Sequence, residues 1–261
     1  MMLLNAAARL LGNKPRQETG LAQSKHRLIE APPTAVYAIG DVHGRLDKLV
    51  RLEEKIMRDS AGSIGKKLIV MLGDYLDRGP ASAGVIDHLL AKAPDGFERI
   101  CLKGNHEVMA VDFFERPDPR SQWLRFGGLE TLQSYGMNPT AITRSGRQAL
   151  QAIEAHVPQE HLNFLRSLDW TLSMPGWIFV HAGLRPNVPL DQQDPEDLFW
   201  IRDEFFEGPG VADAKVVHGH TPSAEPVVTP HRICIDTGAY ADGPLTALKI
   251  TPDGYFKLIQ T

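Results

Sequence analysis

Six side chains of metal-binding type, Asp41, His43, Asp74, Asn105, His181 and His220, lie in five short blocks of this chain. The blocks are Gly40-Asp41-Val42-His43-Gly44, Gly73-Asp74-Tyr75-Leu76-Asp77-Arg78-Gly79, Gly104-Asn105-His106-Glu107, His181-Ala182-Gly183-Leu184 and His218-Gly219-His220-Thr221. Carboxylate, imidazole and amide carbonyl are the ligands that a pair of divalent ions takes, and the arginines beside them suit a phosphate. Asp41 and His43 are two positions apart on an extended segment, so both point the same way and suit one ion. Asp74 can be shared through its two oxygens. Asn105, His181 and His220 complete a second ion. Mixed oxygen and nitrogen donors without thiolate favour manganese, with iron or zinc as alternatives, over calcium. Two ions about 3.5–4 Å apart can hold one hydroxide between them and brace an in-line displacement at phosphorus. The expected chemistry is two-metal phosphoester hydrolysis.

Each block alone has a plainer explanation. Asn105 could cap a helix, since Glu107 and an apolar run follow it. His181 and His220 could be hydrogen-bonded core histidines. Five ligand-bearing turns in this order, nearly all after apolar runs, argue against accident.

Several neighbours extend the chemistry. His106, next to Asn105, could donate a proton to the departing oxygen, with Asp77 holding its other nitrogen. The alternative for Asp77 is a salt bridge to Arg78. Arg78 offers a planar donor fork for two phosphate oxygens. Arg202 is a second clamp candidate; its alternative is an ion pair with Asp203 or Glu204. Arg185 is a third and weaker one. Glu107 is expected to orient backbone rather than react. His218 is expected near the phosphate or behind the ligands, and is not counted as a ligand.

The elements that must position these groups are legible as apolar runs. Strands are predicted over 34–39, 68–72 and 97–102, with helices between them marked by Leu46, Leu49, Val50, Ile56 and Met57, and by Val85, Ile86, Leu89 and Leu90. That order predicts an α/β layered core with active loops at the carboxyl ends of strands. Residues 107–172 lose strand signals and read as a helical cap inserted beside the site. Strands resume at 177–180, 215–217, 233–235 and 245–250, and Pro252-Asp253-Gly254 turns the last of these into a terminal hairpin near 255–259.

The chain has 261 residues, 43% of them hydrophobic and 23% charged, with a net charge of −4. That is an ordinary soluble composition without a global positive field to recruit nucleic acid. Residues 1–11 are mildly amphipathic and too short to span a bilayer. Residues 1–30 are expected to be a flexible lead-in, and 31–261 the catalytic domain. Cys101 and Cys234 sit in apolar runs, so both are expected to be buried strand thiols in a reducing, cytoplasmic setting.

The blocks resemble the calcineurin-like metallophosphoesterases, and within them the phosphoprotein phosphatases of bacteria and phage. The first three blocks match that family's signatures almost letter for letter, His181-Ala182-Gly183-Leu184 is similar to its fourth, and Val216 to Thr221 to the bacterial form of its last. Trp123 to Gly136 also resembles the bacterial members. The resemblance implies a two-sheet β-sandwich flanked by helices, with the metals at one edge. It implies Asp41, His43 and Asp74 on one ion, and Asp74, Asn105, His181 and His220 on the other. It implies His106 as proton donor paired with Asp77, Arg78 on phosphate, and Arg202 less directly. The Glu107 form of the third block tilts the expectation toward a serine/threonine protein phosphatase acting on phosphoproteins. The alternatives are a diadenosine tetraphosphate or other nucleotide hydrolase, whose symmetric members resemble the same blocks but carry aspartate at the Glu107 position, and a non-catalytic metal-binding regulator. Neither a nucleic-acid partner nor stable membrane insertion is expected.

Overall fold

β2 (Ala35–Ile39) is buried at every position because it lies between two apolar layers. Tyr37 and Ile39 pack outward against helices, while Val36 and Ala38 pack inward against a second sheet. β3 (Lys67–Met71) does the same, with Ile69 and Met71 outward and Leu68 and Val70 inward. Side chains alternate across a strand, so a strand covered on both faces reads as an unbroken apolar run. The computed structural model describes residues 26–138, 146–211 and 213–261. The amphipathic stretch at 1–11, and most of the expected lead-in, lie outside the described residues.

The inner faces belong to two sheets that form a sandwich. One has the order β11 (Phe256–Gln260), β10 (Thr246–Ile250), β2, β3, β4 (Phe97–Cys101). The other has the order β1 (His26–Leu28), β5 (Thr171–Met174), β6 (Trp177–Val180), β7 (Lys215–His218), β9 (Arg232–Cys234), β8 (Val227–Val228). Leu68, Val70, Phe179, Val217, Ile233 and Leu248 meet in the interior. Helices α1 (Leu46–Asp59), α2 (Ser82–Leu90), α3 (Asn105–Glu115), α4 (Gly128–Ser134), α5 (Gly146–His156) and α6 (Gln159–Ser167) supply residues to the outer cluster on the first sheet. Helices α7 (Pro195–Trp200) and α8 (Asp203–Phe206) cover the outer face of the second through Leu198, Phe199 and Phe205. The fold is the expected helix-flanked β-sandwich.

Strand direction places the five blocks together. β2, β3 and β4 are parallel, with Tyr37 opposite Ile69 and Ile69 opposite Arg99. β6 and β7 are parallel, with Phe179 opposite Val217. Asp41, Asp74 and Asn105 follow the first three, and His181 and His220 follow the other two. All five turns therefore leave the carboxyl ends of parallel strands, where loops can aim side chains while the sheets hold still. The Gly219 amide donates to the His181 carbonyl at 2.8 Å, and the His220 amide to Asp41 Oδ2 at 3.0 Å, which ties the two sheets at this edge.

Several expectations give way. The buried stripe of α1 is Leu49, Leu52, Glu53 and Ile56, while Val50 and Met57 are exposed. Glu53 breaks the apolar pattern yet is buried, because His88 Nε2 at 2.7 Å and Arg99 Nη2 at 3.0 Å neutralise it. Residues 26–28, read as part of the lead-in, form edge strand β1 parallel to β5. β5 itself begins at Thr171, inside the stretch expected to be helical. Both elements are only three or four residues long, too short for a clear alternation signal. The β10–β11 hairpin forms as expected. Cys101 and Cys234 are free; Cys234 is buried and Cys101 only partly so. Among the described residues no helix is long and apolar enough to cross a membrane.

Candidate dinuclear metal site

Two groups of ligand atoms form at the sheet edge and share one residue. His43, Asp74 and His106 make the first, and Asp74, His181 and His220 the second; within each group all ligand atoms lie within 4.8 Å of one another. Asn105 joins the second, with its Oδ1 2.8 Å from His181 Nε2 and 3.1 Å from His220 Nδ1. Asp41, expected on the first ion, belongs to neither group. Its Oδ2 accepts the His220 amide, and its Oδ1 is buried without a hydrogen-bond partner. Gly219 permits this approach, since a Cβ there would lie 1.9 Å from Asp41 Oδ1. His43, Asp74, Asp77, Arg78 and His220 all have positive φ, five of the seven such non-glycine residues among those described. Strain of this kind, about 1–3 kcal/mol per residue, persists where a site over-determines the backbone.

The donor set fits divalent cations. His181 Nδ1 donates to the Leu72 carbonyl at 3.0 Å, so its Nε2 carries a lone pair. That lone pair faces the Asn105 carbonyl oxygen at 2.8 Å, two acceptors in contact. His43 Nδ1 likewise donates to the Leu76 carbonyl at 2.8 Å, and its Nε2, an acceptor, lies 3.6 Å from Asp74 Oδ2. Burial above all lowers the pKa of His43, His181 and His220, which keeps the rings neutral and their lone pairs available. A cation between such acceptors resolves the conflict. Burial, with Asp236 and Asp74 adding to it, raises the Asp41 carboxyl well above its usual value, another conflict that a cation relieves. Asp74 goes the other way: burial would raise it, but His181, His106 and His43 outweigh burial and hold it at about 2.

His106 is set apart from the other imidazoles. Its Nδ1 is 2.6 Å from Asp77 Oδ2. Asp77 in turn accepts Trp123 Nε1 at 2.7 Å and the Thr131 hydroxyl at 2.6 Å. Burial acts to lower the His106 pKa, yet Asp74 and Asp77 outweigh it and raise the value. The ring is therefore poised to hold a proton on Nε2, which lies 3.8 Å from Asp74 Oδ2. Arg78 spans the mouth, with Nη1 donating to His43 Nε2 at 3.0 Å and Nη2 standing 3.2 Å from His106 Nε2. Its guanidinium lies over the Tyr240 ring at 4.4 Å.

Glu107 does not face this opening. Its carboxylate accepts the backbone amides of Asp74 at 2.8 Å, Tyr75 at 2.8 Å, Leu76 at 3.4 Å and Gly104 at 2.9 Å. It caps α3 and pins the loop that carries Asp74 and Asp77, which leaves the Asn105 side chain free to turn into the site. Glu107→Gln sets an amide NH₂ against backbone donors, and the expected cost is about 1–3 kcal/mol of stability. Thermal unfolding checks this; an unchanged Tm removes the pinning role.

Arg202 stands at the rim of the site, while two further candidates are engaged elsewhere. Arg202 is exposed, and its Nη2 reaches only the His220 carbonyl, at 3.5 Å. Arg185 is held by Asp197 through two hydrogen bonds of 2.6 and 2.5 Å, so it is not a free phosphate clamp. His218 turns away from the ligands. Its ring packs on Phe205 and Phe206, and its Nε2 lies 3.2 Å from Arg232 Nη1.

Two neighbours of the site went unread in the sequence, Tyr240 and Asp236. Asp236 follows the apolar run Ile233-Cys234-Ile235 and precedes Thr237-Gly238, a run ending in an aspartate as at Asp41 and Asp74 but without the glycine that precedes each of those. Burial, with Asp74 adding and the Gly238 amide opposing, raises its carboxyl from 3.8 to about 6. A raised carboxyl binds its proton more tightly in the folded state, so its contribution favours metal-free folding at low pH and is lost as pH rises through about 6. In chelator, Asp236→Asn should therefore gain stability relative to the parent between about pH 4 and pH 7. Paired thermal scans test this, and a pH-independent difference rejects it.

Known proteins share sequence and fold with this chain. The model of the calcineurin-like phosphoesterase family matches residues 34–256. An asymmetrical bis(5'-nucleosyl)-tetraphosphatase, PrpE, of Bacillus thuringiensis (strain Al Hakam) is 26% identical over 230 residues, 81% of this chain and 88% of that protein. A zinc-dependent endopolyphosphatase of Saccharomyces cerevisiae is 27% identical over 171 residues, 61% of this chain; the chain spans only 49% of that protein's length. A solved structure provisionally described as a diadenosine tetraphosphatase superposes with a TM-score of 0.60 at 20% identity, covering 91% of this chain and 98% of that one. A protein serine/threonine phosphatase from Saccharomyces cerevisiae superposes with a TM-score of 0.55 at 16% identity, covering 91% and 84%. These two structural likenesses are likenesses of fold.

Proposed function

The chain belongs to the calcineurin-like phosphoesterases, and from that membership we propose that it hydrolyses the phosphoanhydride chain of a dinucleoside polyphosphate or a related nucleotide. Hydrolysis is carried by one observation, the two buried ligand groups that share Asp74 beside Arg78 and His106. The nucleotide is supported by the tetraphosphatase relative, which aligns along most of both chains. The tilt toward phosphoproteins rested on Glu107. That side chain is wholly engaged with backbone amides, so it fixes the loop and does not read the substrate.

In this reading Asp41, His43 and Asp74 hold one divalent ion, and Asp74, Asn105, His181 and His220 the other. Manganese suits the mixed donors, and zinc, the ion named for the endopolyphosphatase relative, suits the three imidazoles. When bound, the pair supplies Lewis acidity toward a phosphoryl oxygen and acidifies water. Arg78 lays its donor fork on phosphate oxygens, and Arg202 extends from the His220 side as a second clamp. His106 hands a proton from Nε2 to the departing oxygen while Asp77 holds Nδ1 and stabilises the imidazolium.

The test is a substrate panel. Chelated protein is reloaded with manganese or zinc and offered diadenosine tetraphosphate, a phosphoserine peptide and p-nitrophenyl phosphate. Turnover should require metal, and kcat/KM should be highest for the dinucleotide. A preference for the phosphopeptide would restore the phosphoprotein reading. Bound metal without turnover of any ester would point to a regulator instead.

A further inference from the structure

A cleft of about 840 Å³ opens from Arg78 and Tyr240 and runs past Arg120, Arg125 and Phe126. We propose that this cleft is a nucleotide subsite, in which a base stacks on the Phe126 ring and the Arg125 guanidinium takes a phosphate of the same polyphosphate chain. The inference rests on the nucleotide reading above and says where that substrate lies.

The wall bearing these residues is fixed to the catalytic loop at three points. Trp123 Nε1 donates to Asp77 Oδ2 at 2.7 Å, the Thr131 hydroxyl to Asp77 Oδ1 at 2.6 Å, and the Arg78 amide to the Gly127 carbonyl at 3.3 Å. Trp123 is buried against Phe113 and Phe114, with ring centroids 4.8 and 5.4 Å apart. Gly127 has φ +111°, and a Cβ there would lie 2.4 Å from the Arg78 amide nitrogen, so the turn sits directly on Arg78. Anchoring on this side leaves the two preceding side chains facing solvent. Phe126 is 39% exposed.

The Arg125 guanidinium makes no hydrogen bond or ion pair among the described residues. Arg120, by contrast, is committed to Asp118 through bonds of 3.2 and 3.1 Å. An exposed phenylalanine alone means little. Here the ring is neighbour to an uncommitted guanidinium, and both line a cleft that begins at the phosphate fork. Every base offers a π-face to an aromatic platform, and a guanidinium binds phosphate oxygens. A lone phosphorylated hydroxyl would engage Arg78 and leave both groups unused, whereas a dinucleoside polyphosphate is long enough to use them.

The experiment compares Arg125→Ala, Phe126→Ala and Phe126→Trp with the parent enzyme, using diadenosine tetraphosphate, p-nitrophenyl phosphate and a phosphoserine peptide. For each alanine variant the ratio of kcat/KM on the dinucleotide to that on p-nitrophenyl phosphate should fall about tenfold, mainly through KM. Phe126→Trp should keep the parent ratio, since it keeps the platform. An unchanged ratio in both alanine variants overturns the subsite, as does an equal loss on all esters or a KM effect confined to the phosphopeptide. A parent enzyme that does not turn over the dinucleotide sinks the nucleotide reading and this inference together. A parent that does, with unaffected variants, sinks the inference alone.

Discussion

Asp74→Asn should strip both metal ions from the protein and abolish nearly all hydrolysis. Asp74 is the one residue common to both ligand groups, and its carboxylate lies 3.6 Å from His43 Nε2 and 3.4 Å from His181 Nε2. Three histidines hold it ionised at about 2 against the pull of burial. Asparagine has one ligand oxygen in place of two and no charge, so neither ion keeps its shared anion. Loss of an outer partner of a metal ligand already costs about 10–100-fold in affinity, and loss of the shared ligand should exceed that. The fold should survive, because an asparagine carbonyl can still accept the His106 amide that Asp74 Oδ1 accepts at 3.1 Å. Metal content after dialysis, read beside the initial rate, decides the matter. A variant that keeps two ions per chain and the parent rate rejects the shared site.

His106→Asn should retain metal and lose rate in proportion to how much the leaving group needs a proton. General acids contribute about 10²–10⁴-fold, and the upper part of that range is expected for a phosphoserine peptide, whose alkoxide is a poor leaving group. A dinucleoside polyphosphate departs as a phosphate oxygen, which is far more acidic, so its loss should be smaller. p-Nitrophenyl phosphate should also lose little. Asparagine cannot carry the proton that Asp74 and Asp77 hold on the imidazole. Equal losses on every substrate would reject the proton-donor role and would point to His106 as a support for Arg78, which lies 3.2 Å away.

The two variants separate binding from proton transfer, and they also show why sequence resolved one better than the other. The ligand turns are legible because each is local: an apolar run stops and a carboxylate, amide or imidazole follows, after a glycine in every block but that of His181. Asp236 also follows an apolar run, but no glycine precedes it and its block Asp236-Thr237-Gly238 holds no histidine. His218 was drawn to the site by its place in His218-Gly219-His220, but it is the last residue of β7 and its ring points to Arg232 and Phe206. His218 and His220 are two positions apart and would share a face on a continuous strand; only His220 enters, because β7 ends at His218 and the backbone turns to φ +67° at His220. Glu53 shows the limit for the core: its burial depends on His88 and Arg99 from other elements.

What the sequence determined by itself is the inventory: a layered α/β frame, five turns at strand ends, and the donor types of a two-cation site. Those follow from short stretches whose side chains are set by the strand before them. What only the tertiary structure decided is which of the four clustered imidazoles stays neutral and which holds a proton. Burial alone would lower them all, and His106 escapes because Asp74 faces it and because Asp77, itself fixed by Trp123 and Thr131 from a distant segment, stands 2.6 Å from its Nδ1. Charge in a buried site is set by neighbours across space, and neighbours across space are what a linear pattern does not contain.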